Sequence, residues 1–135
     1  MNTTLARLND AVNRHDPEAL AALFAPDYRS EQPVHPERGF GGSDQVAANW
    51  RQMFGGVPDL TAELLGDAFD AGTSWSEWRW HGSHVDGRPF LMRGVILMGV
   101  GEDGLIHWAR LYMEPVEQGG VGIEDAVRGL SGSPE

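Results

Sequence analysis

Apolar residues recur with helical spacing in the first half of the chain. Leu5, Leu8, Ala11 and Val12 predict a helix over residues 4–14. Residues 16–18 (Asp-Pro-Glu) supply an N-cap acceptor, a proline at the first helical position and an acid in the first turn. They predict a second helix, ending at Pro26, with an apolar stripe formed by Leu20, Leu23 and Phe24. Residues 41–44 (Gly-Gly-Ser-Asp) predict the start of a third, whose inward positions are Val46, Trp50, Met53 and Phe54.

The apolar period changes to two after Pro58, which is typical of strands. Residues 28–34 also read as a short strand, confined to a sheet edge by Pro33. Asp86-Gly87 and Asp103-Gly104 are dipeptides favoured in two-residue hairpin turns. The pattern predicts four antiparallel strands after the helices. The expected fold is therefore α+β, with three N-terminal helices packed on one face of a strongly curved antiparallel sheet.

The two turns also predict which residues face each other. With two-residue loops, Trp80 lies opposite Arg93, and Arg93 lies opposite Glu114, all on one face of the sheet. Trp78 and Tyr112 fall in the next row. Both faces then carry many apolar residues, so we expect both to be covered, one by the helices and the other by a second copy of the chain. A β-bulge would invert these faces.

Composition narrows the function. The chain has 135 residues, a formal charge of −10 and no cysteine, and all ten of its basic residues are arginine. This composition argues against nucleic-acid binding, thiol chemistry and lysine Schiff bases. The N-terminal segment and the rest of the chain lack long apolar runs, so we expect a cytoplasmic protein that does not bind membranes. We expect one domain over residues 1–117, then a Gly-rich connector, a short helix and a flexible tail over residues 118–135.

Several segments resemble the nuclear transport factor 2-like superfamily, and in particular its SnoaL-like polyketide cyclase-like domains. They lie in the expected order over about residues 4–116, at residues 13–20, 23–28, 42–46, 79–84, 104–106 and 112–114. The resemblance implies a cone-shaped α+β barrel whose pocket lies between the helices and the inner sheet face. It also implies that the backs of two sheets often form a dimer.

The resemblance implies different chemistry for different members of the superfamily. Residues 30–35 are similar to the segment that carries the catalytic acid of ketosteroid isomerases, but that position is Gln32, which cannot abstract a proton. The residues that epoxide hydrolases use to orient water are absent as well. SnoaL-like cyclases have an acid near the end of the last strand, and Glu114 matches it. The resemblance therefore implies Glu114 as the general base, and the predicted register places Arg93 and Tyr112 on the same face, where they would stabilise an enolate oxygen.

The remaining candidates are ligand-binding residues. We expect the pocket to be lined by Tyr28, His35, Trp50, Met53, Trp78 and Trp80. Each also has a structural interpretation: Arg93 and Glu114 as a cross-strand pair beside Trp80, His35 as a solvated loop residue, and the aromatic residues as core. His81 and His84 would point to opposite faces of a strand, so no metal site is expected. No cofactor motif occurs.

Two functions stay open at this point. The first is a cofactor-independent enzyme that performs acid–base chemistry, such as cyclisation, isomerisation or dehydration, on a small hydrophobic molecule. The second is a ligand-binding or structural dimeric module without chemistry. An open cavity with Glu114 inside would favour the enzyme, whereas a tightly packed interior would favour the module.

Overall fold

The first two N-terminal helices begin close to the positions that the sequence predicts. The computed structural model describes residues 2–132. Helix α1 (Thr3–Asn13) begins after Asn2, whose side chain accepts a hydrogen bond from the Leu5 amide at 2.8 Å. Helix α2 (Pro17–Ala21) begins after Asp16, which accepts from the Ala19 amide at 3.0 Å. These side chains satisfy amides that a helix leaves unpaired at its start.

The predicted end of the second helix was wrong. Helix α2 ends at Ala21, and strand β1 (Phe24–Glu31) follows almost at once. Pro26 therefore lies inside a strand, at a place where the pairing with the neighbouring strand is irregular. A proline lacks the amide that a regular ladder needs, so it is tolerated there. Strand β1 is also not a sheet edge, since the two-residue strand β2 (Phe40–Gly41) covers its other side.

Helix α3 (Ser43–Gly56) and four long strands complete the main body. Gly42 precedes α3 with a φ of +91°, a conformation that favours glycine. The strands are β3 (Thr61–Asp70), β4 (Thr73–Ser83), β5 (Pro89–Val100) and β6 (Ile106–Pro115). They form the predicted antiparallel meander within one six-stranded sheet of order β2-β1-β6-β5-β4-β3. The α+β class is confirmed, but the sheet stays open between β2 and β3 and is not a closed barrel.

A fourth helix, α4 (Ile123–Ser131), follows the sheet and lies where its apolar spacing predicts it. Of the predicted flexible tail, residues 133–135 lie outside the described part of the chain. Within residues 2–132, no helix has both the length and the apolar character needed to cross a membrane.

One of the two predicted strand registers was wrong by a single residue. Arg93 does lie opposite Glu114, as expected. Trp80, however, lies opposite Met92, and Arg79 is the partner of Arg93. The β4–β5 turn contains three residues rather than two: the His84 amide donates to the Arg88 carbonyl at 2.8 Å, with Gly87 at a φ of +89° between them. One extra turn residue moves every β4 side chain to the other face.

The two faces of the sheet differ as a result. The inner face, toward the helices, carries Trp78 and Trp80 from β4 and buried aliphatic residues from β5 and β6. The outer face carries three adjacent rows of three residues, which are Trp75, Leu97 and Arg110; Glu77, Val95 and Tyr112; and Arg79, Arg93 and Glu114. The inner face thus forms the core, and the outer face mixes apolar and charged side chains.

Candidate functional site

A cavity of about 240 Å³ lies between the helices and the inner face of the sheet. It is bounded by α1, α3, β1 and the long strands β4, β5 and β6. Its lining is mainly apolar and consists of Leu8, Val12, Phe24, Tyr28, Ser30, Gln32, Phe40, Val46, Asn49, Trp50, Met53, Trp78, Trp80, Met92, Ile96, Met98, Ala109 and Leu111. A cavity of roughly 150 Å³ can hold benzene, so this one has room for a ligand of one or two rings.

Aromatic side chains fix the shape of the cavity. Trp50 on α3 and Trp80 on β4 meet edge to face, with ring centroids 5.3 Å apart. Trp78 is 1% exposed, and its indole N–H donates to the Ser76 hydroxyl at 2.8 Å. That hydroxyl donates to the Ile96 carbonyl at 2.9 Å. Because the buried indole is satisfied, the apolar wall carries no unmet hydrogen bond at this point.

The polar lining residues come from β1, its continuation and α3. Tyr28, Ser30 and Gln32 alternate along the chain and so share one face. Tyr28 is 3% exposed, and this burial raises the pKa of its phenol to about 12, against a smaller opposing effect of the hydrogen bond with Ser30. The Gln32 carboxamide oxygen accepts from Arg38 at 3.1 Å. The side-chain oxygen of Asn49 accepts a hydrogen bond from the side-chain amide nitrogen of Gln45 at 2.7 Å.

Among the residues that the structure describes, the cavity lining contains no aspartate, glutamate, histidine or arginine. The one ionisable group in this described lining is Tyr28, whose pKa lies above the physiological range even without a shift and is raised further by burial, so that it holds its proton there. A general base with a pKa near neutrality is therefore missing from these lining residues. The arrangement can enclose an apolar molecule and hydrogen-bond to it, and it places no charge beside it.

The predicted catalytic residues lie on the outer face of the sheet. Arg93, Tyr112 and Glu114 were expected to line the pocket together with Trp80, and this placement was wrong because the β4–β5 register puts Trp80 on the opposite face. Glu114 instead contacts His35, with Oε1 and Nε2 2.5 Å apart. Their role in catalysis stays a prediction.

The expected pairing of these charged groups also differs. Arg93 donates to Glu77 at 3.2 Å rather than to Glu114. Trp80, which the structural interpretation placed beside the Arg93–Glu114 pair, lies on the inner face, and the cation–π contact of the outer face joins Arg110 and Trp108, with the guanidinium carbon 4.7 Å from the ring centroid. The outer face therefore holds an ion-pair and aromatic network of its own.

Most of the predicted ligand-binding residues do line the cavity. Tyr28, Trp50, Met53, Trp78 and Trp80 all contribute to its wall. His35 does not, because the turn after Gln32 directs it to Glu114 at the edge of the sheet.

Three polar lining residues were missed: Ser30, Gln32 and Asn49. A signal was present for each. Ser30 and Gln32 follow Tyr28 at strand spacing, and Asn49 shares a helical face with Val46 and Met53.

The two histidines considered for metal binding have other partners. His81 lies 2.9 Å from Glu63, and the His84 ring packs edge-on against Phe90 at 5.6 Å. They do not converge on one point.

Comparison with known proteins places the chain in a family. Residues 5–108 match the model of the SnoaL-like domain, so the chain belongs to the SnoaL-like family. No curated protein matches it significantly.

Solved structures with the same fold include several bacterial proteins. A Catenulispora acidiphila protein with a ketosteroid isomerase-like fold, in complex with trimethylamine, is similar with a TM-score of 0.74 and 15% identity over 83% of this chain and 85% of that chain. IdmH of Streptomyces antibioticus, a proposed polyketide cyclase, is similar with a TM-score of 0.71 and 23% identity over 82% of this chain and 89% of that chain. Rv0760c of Mycobacterium tuberculosis, in complex with estradiol-17beta-hemisuccinate, has a TM-score of 0.69 and 23% identity over 81% of this chain and 89% of that chain. At these identities the similarity establishes the nuclear transport factor 2-like fold.

Proposed function

We propose that this protein binds a small, uncharged and largely apolar molecule in the cavity between its helices and the inner sheet face. One observation carries the proposal: a cavity of about 240 Å³ has aromatic walls and, within the described part of the chain, no charged side chain in its lining. Burying a charge there without a partner would cost several kcal/mol, whereas an apolar ring gains roughly 25 cal/mol for each Å² removed from water. Two structural neighbours that were solved with small molecules bound support this use of the fold.

Tryptophan fluorescence provides a direct test. Three of the five tryptophans line the cavity, namely Trp50, Trp78 and Trp80. Titration with tetralin, an uncharged bicyclic hydrocarbon, should change the emission saturably. Replacing Met98, whose side chain lies in the cavity wall, by Trp should abolish the response by filling the space. A matched Leu97→Trp variant, which places the same ring on the outer face of the same strand, should retain it. Failure of tetralin to bind, or equal binding by both variants, would contradict the proposal.

A second proposal concerns chemistry. The neighbour IdmH is a proposed polyketide cyclase, and aromatic side chains line the cavity of this chain. Because Tyr28 stays protonated, it would act as a hydrogen-bond donor to a developing enolate oxygen rather than as a base, and the α-proton of the substrate would pass to solvent water. Cyclisation of a poly-β-ketone model substrate by the wild type, with at least a tenfold loss of kcat in Tyr28→Phe, is the expected result. A Tyr28→Phe variant with full activity would exclude this role.

We also propose that two copies of the chain associate through their outer sheet faces. Trp75 is 50% exposed there, and Tyr112 lies two strands away beside Val95. Tryptophan, tyrosine and arginine are the residue types enriched in protein interfaces, and this face carries all three. Sedimentation should give a dimer for the wild type and a monomer for Trp75→Glu. A wild type that stays monomeric at micromolar concentration would contradict the interface.

A further inference from the structure

The polar side of the cavity is organised to present hydrogen-bond donors. Gln32 is the clearest case, because Arg38 offers only N–H groups and so must face the Gln32 carboxamide oxygen, 3.1 Å away. The oxygen is thereby engaged outside the cavity. The amide nitrogen, with its two N–H groups, is left as the part of the Gln32 side chain that can meet a ligand.

The other polar lining residues do not offset this excess of hydrogen-bond donors. The Asn49 oxygen is held by Gln45 at 2.7 Å, so its amide nitrogen is likewise left to donate. The hydroxyls of Tyr28 and Ser30 hydrogen-bond to each other. None of the described lining residues is a carboxylate that could accept a hydrogen bond from a ligand. The amide N–H groups of Gln32 and Asn49 are thus the donors left to meet a ligand in an otherwise apolar lining.

We propose that Gln32, oriented by Arg38, selects ligands that carry a carbonyl oxygen, such as cyclic ketones, quinones or esters, over hydrocarbons and alcohols of the same shape. The inference rests on the proposed binding function. A carbonyl oxygen accepts from the Gln32 amide and has no hydrogen that needs a partner. An alcohol would bury an O–H donor in a lining short of acceptors, and a hydrocarbon would leave the Gln32 donors unpaired. Arg38 lies outside the cavity and is a positioning residue.

Three bicyclic probes of nearly equal size separate these alternatives: 1-tetralone with a carbonyl, 1-tetralol with a hydroxyl, and tetralin with neither. A net hydrogen bond corresponds to roughly a three- to tenfold change in affinity. We expect the wild type to bind 1-tetralone tighter than 1-tetralol and tetralin by about that factor. Gln32→Leu should lose the preference while it still binds tetralin, which shows that the cavity is intact.

Two further variants make the test independent of a folding defect. Gln32→Glu has the same shape and keeps an oxygen for Arg38, but it presents an acceptor to the cavity, so the order of 1-tetralone and 1-tetralol should reverse. Arg38→Met should allow the Gln32 amide to rotate, so that either its oxygen or its nitrogen can face the cavity. The ratio of the affinities for 1-tetralone and 1-tetralol should then fall, while the affinity for tetralin stays the same. If the wild type and Gln32→Leu bind all three probes with the same ratios, the inference is wrong and the proposed function stands. If none of the probes binds the wild type, both fail together.

Discussion

The two faces of the β4–β5–β6 sheet are built from alternate residues of the same strands, yet their chemistry is almost opposite. The inner face contributes Trp78, Trp80 and aliphatic side chains to a cavity whose lining carries no charge among residues 2–132. The outer face carries the ion pair between Arg93 and Glu77, and Glu114 next to His35. Alternation along a strand is enough to separate the two environments by the thickness of a single sheet.

This difference shows where acid–base chemistry is available. The His35 and Glu114 side chains lie at the edge of the sheet and on its outer face, partly exposed, where solvent screens their interaction. Among the described residues that line the cavity, Tyr28 is the one ionisable group, and burial raises its pKa still further above neutrality. The family resemblance identifies Glu114, near the end of the last strand, as an acid, but Glu114 is not one of the residues that line the cavity.

The largest expected effect is a difference in stability between alanine variants of two tryptophans, Trp75 and Trp78, that lie three residues apart on β4. Trp78→Ala removes a 1% exposed ring from the core and should lower the free energy of unfolding by about 3–5 kcal/mol. Trp75→Ala, on the outer face, should lower it by about 1 kcal/mol or less in dilute protein. Urea unfolding monitored by circular dichroism measures both values. Equal losses in dilute protein would show that the faces do not differ in burial as described.

Protein concentration sharpens that comparison. If the outer faces associate, the Trp75→Ala loss should grow with concentration, because dimerisation stabilises only the folded wild type. The Trp78→Ala loss comes from within one chain and should stay constant in variants of equal oligomeric state.

The next effect concerns the two tyrosines of the chain, one on each face. Burial raises the pKa of Tyr28 to about 12, above the ordinary value near 10. A group with a raised folded-state pKa contributes its stability fully below pH 10 and loses it as the pH rises through 12. The wild type should therefore lose roughly 2–3 kcal/mol more unfolding free energy than Tyr28→Phe between pH 10 and 12.

Tyr112→Phe is the matched control, because Tyr112 is 40% exposed on the outer face. It also leaves Tyr28 as the one tyrosine of the chain, so that phenolate absorbance at alkaline pH reports Tyr28 alone. A phenolate that forms in the folded Tyr112→Phe variant at pH 10 would contradict the burial of Tyr28.

The sequence predicted the elements of the fold better than their pairing. Helical spacing and caps identified α1, α3 and the start of α2, because these signals are local. The end of α2 was mistaken because Leu23 and Phe24 continue an apolar stripe, and only the long-range pairing of β1 with β6 makes Phe24 a strand residue. Such non-local pairing leaves little trace in a single sequence.

The prediction of the candidate site depended on the length of the β4–β5 turn. Asp86-Gly87 correctly marks a turn, but the sequence does not state whether the loop holds two residues or three. That single residue decides whether Trp80 shares a face with Arg93 or with Met92. The lining aromatics on α3 were predictable because helical spacing is independent of strand register. The catalytic row depended on two registers, and one of them was wrong.

The smallest expected effect tests the acid that the family resemblance favours. Glu114 is about half exposed and lies 2.5 Å from His35, and surface pairs of this kind contribute about 0–1 kcal/mol. Glu114→Gln should therefore change the unfolding free energy by less than about 1 kcal/mol. Because Glu114 is outside the cavity, the variant should bind tetralin and 1-tetralone with affinities within about twofold of the wild type, since no lost contact supplies the 1.4 kcal/mol that a tenfold change requires.

Glu77→Gln provides the matched control, because Glu77 is a second half-exposed carboxylate of the outer face and its partner is Arg93 rather than His35. Both variants should behave alike in binding and stability if the two faces act separately. A loss of affinity or of turnover confined to Glu114→Gln would mean that the Glu114–His35 pair reaches the bound molecule. The separation of the faces would then fail at that one edge, and the carboxylate would regain the role of base that its position on the last strand first indicated.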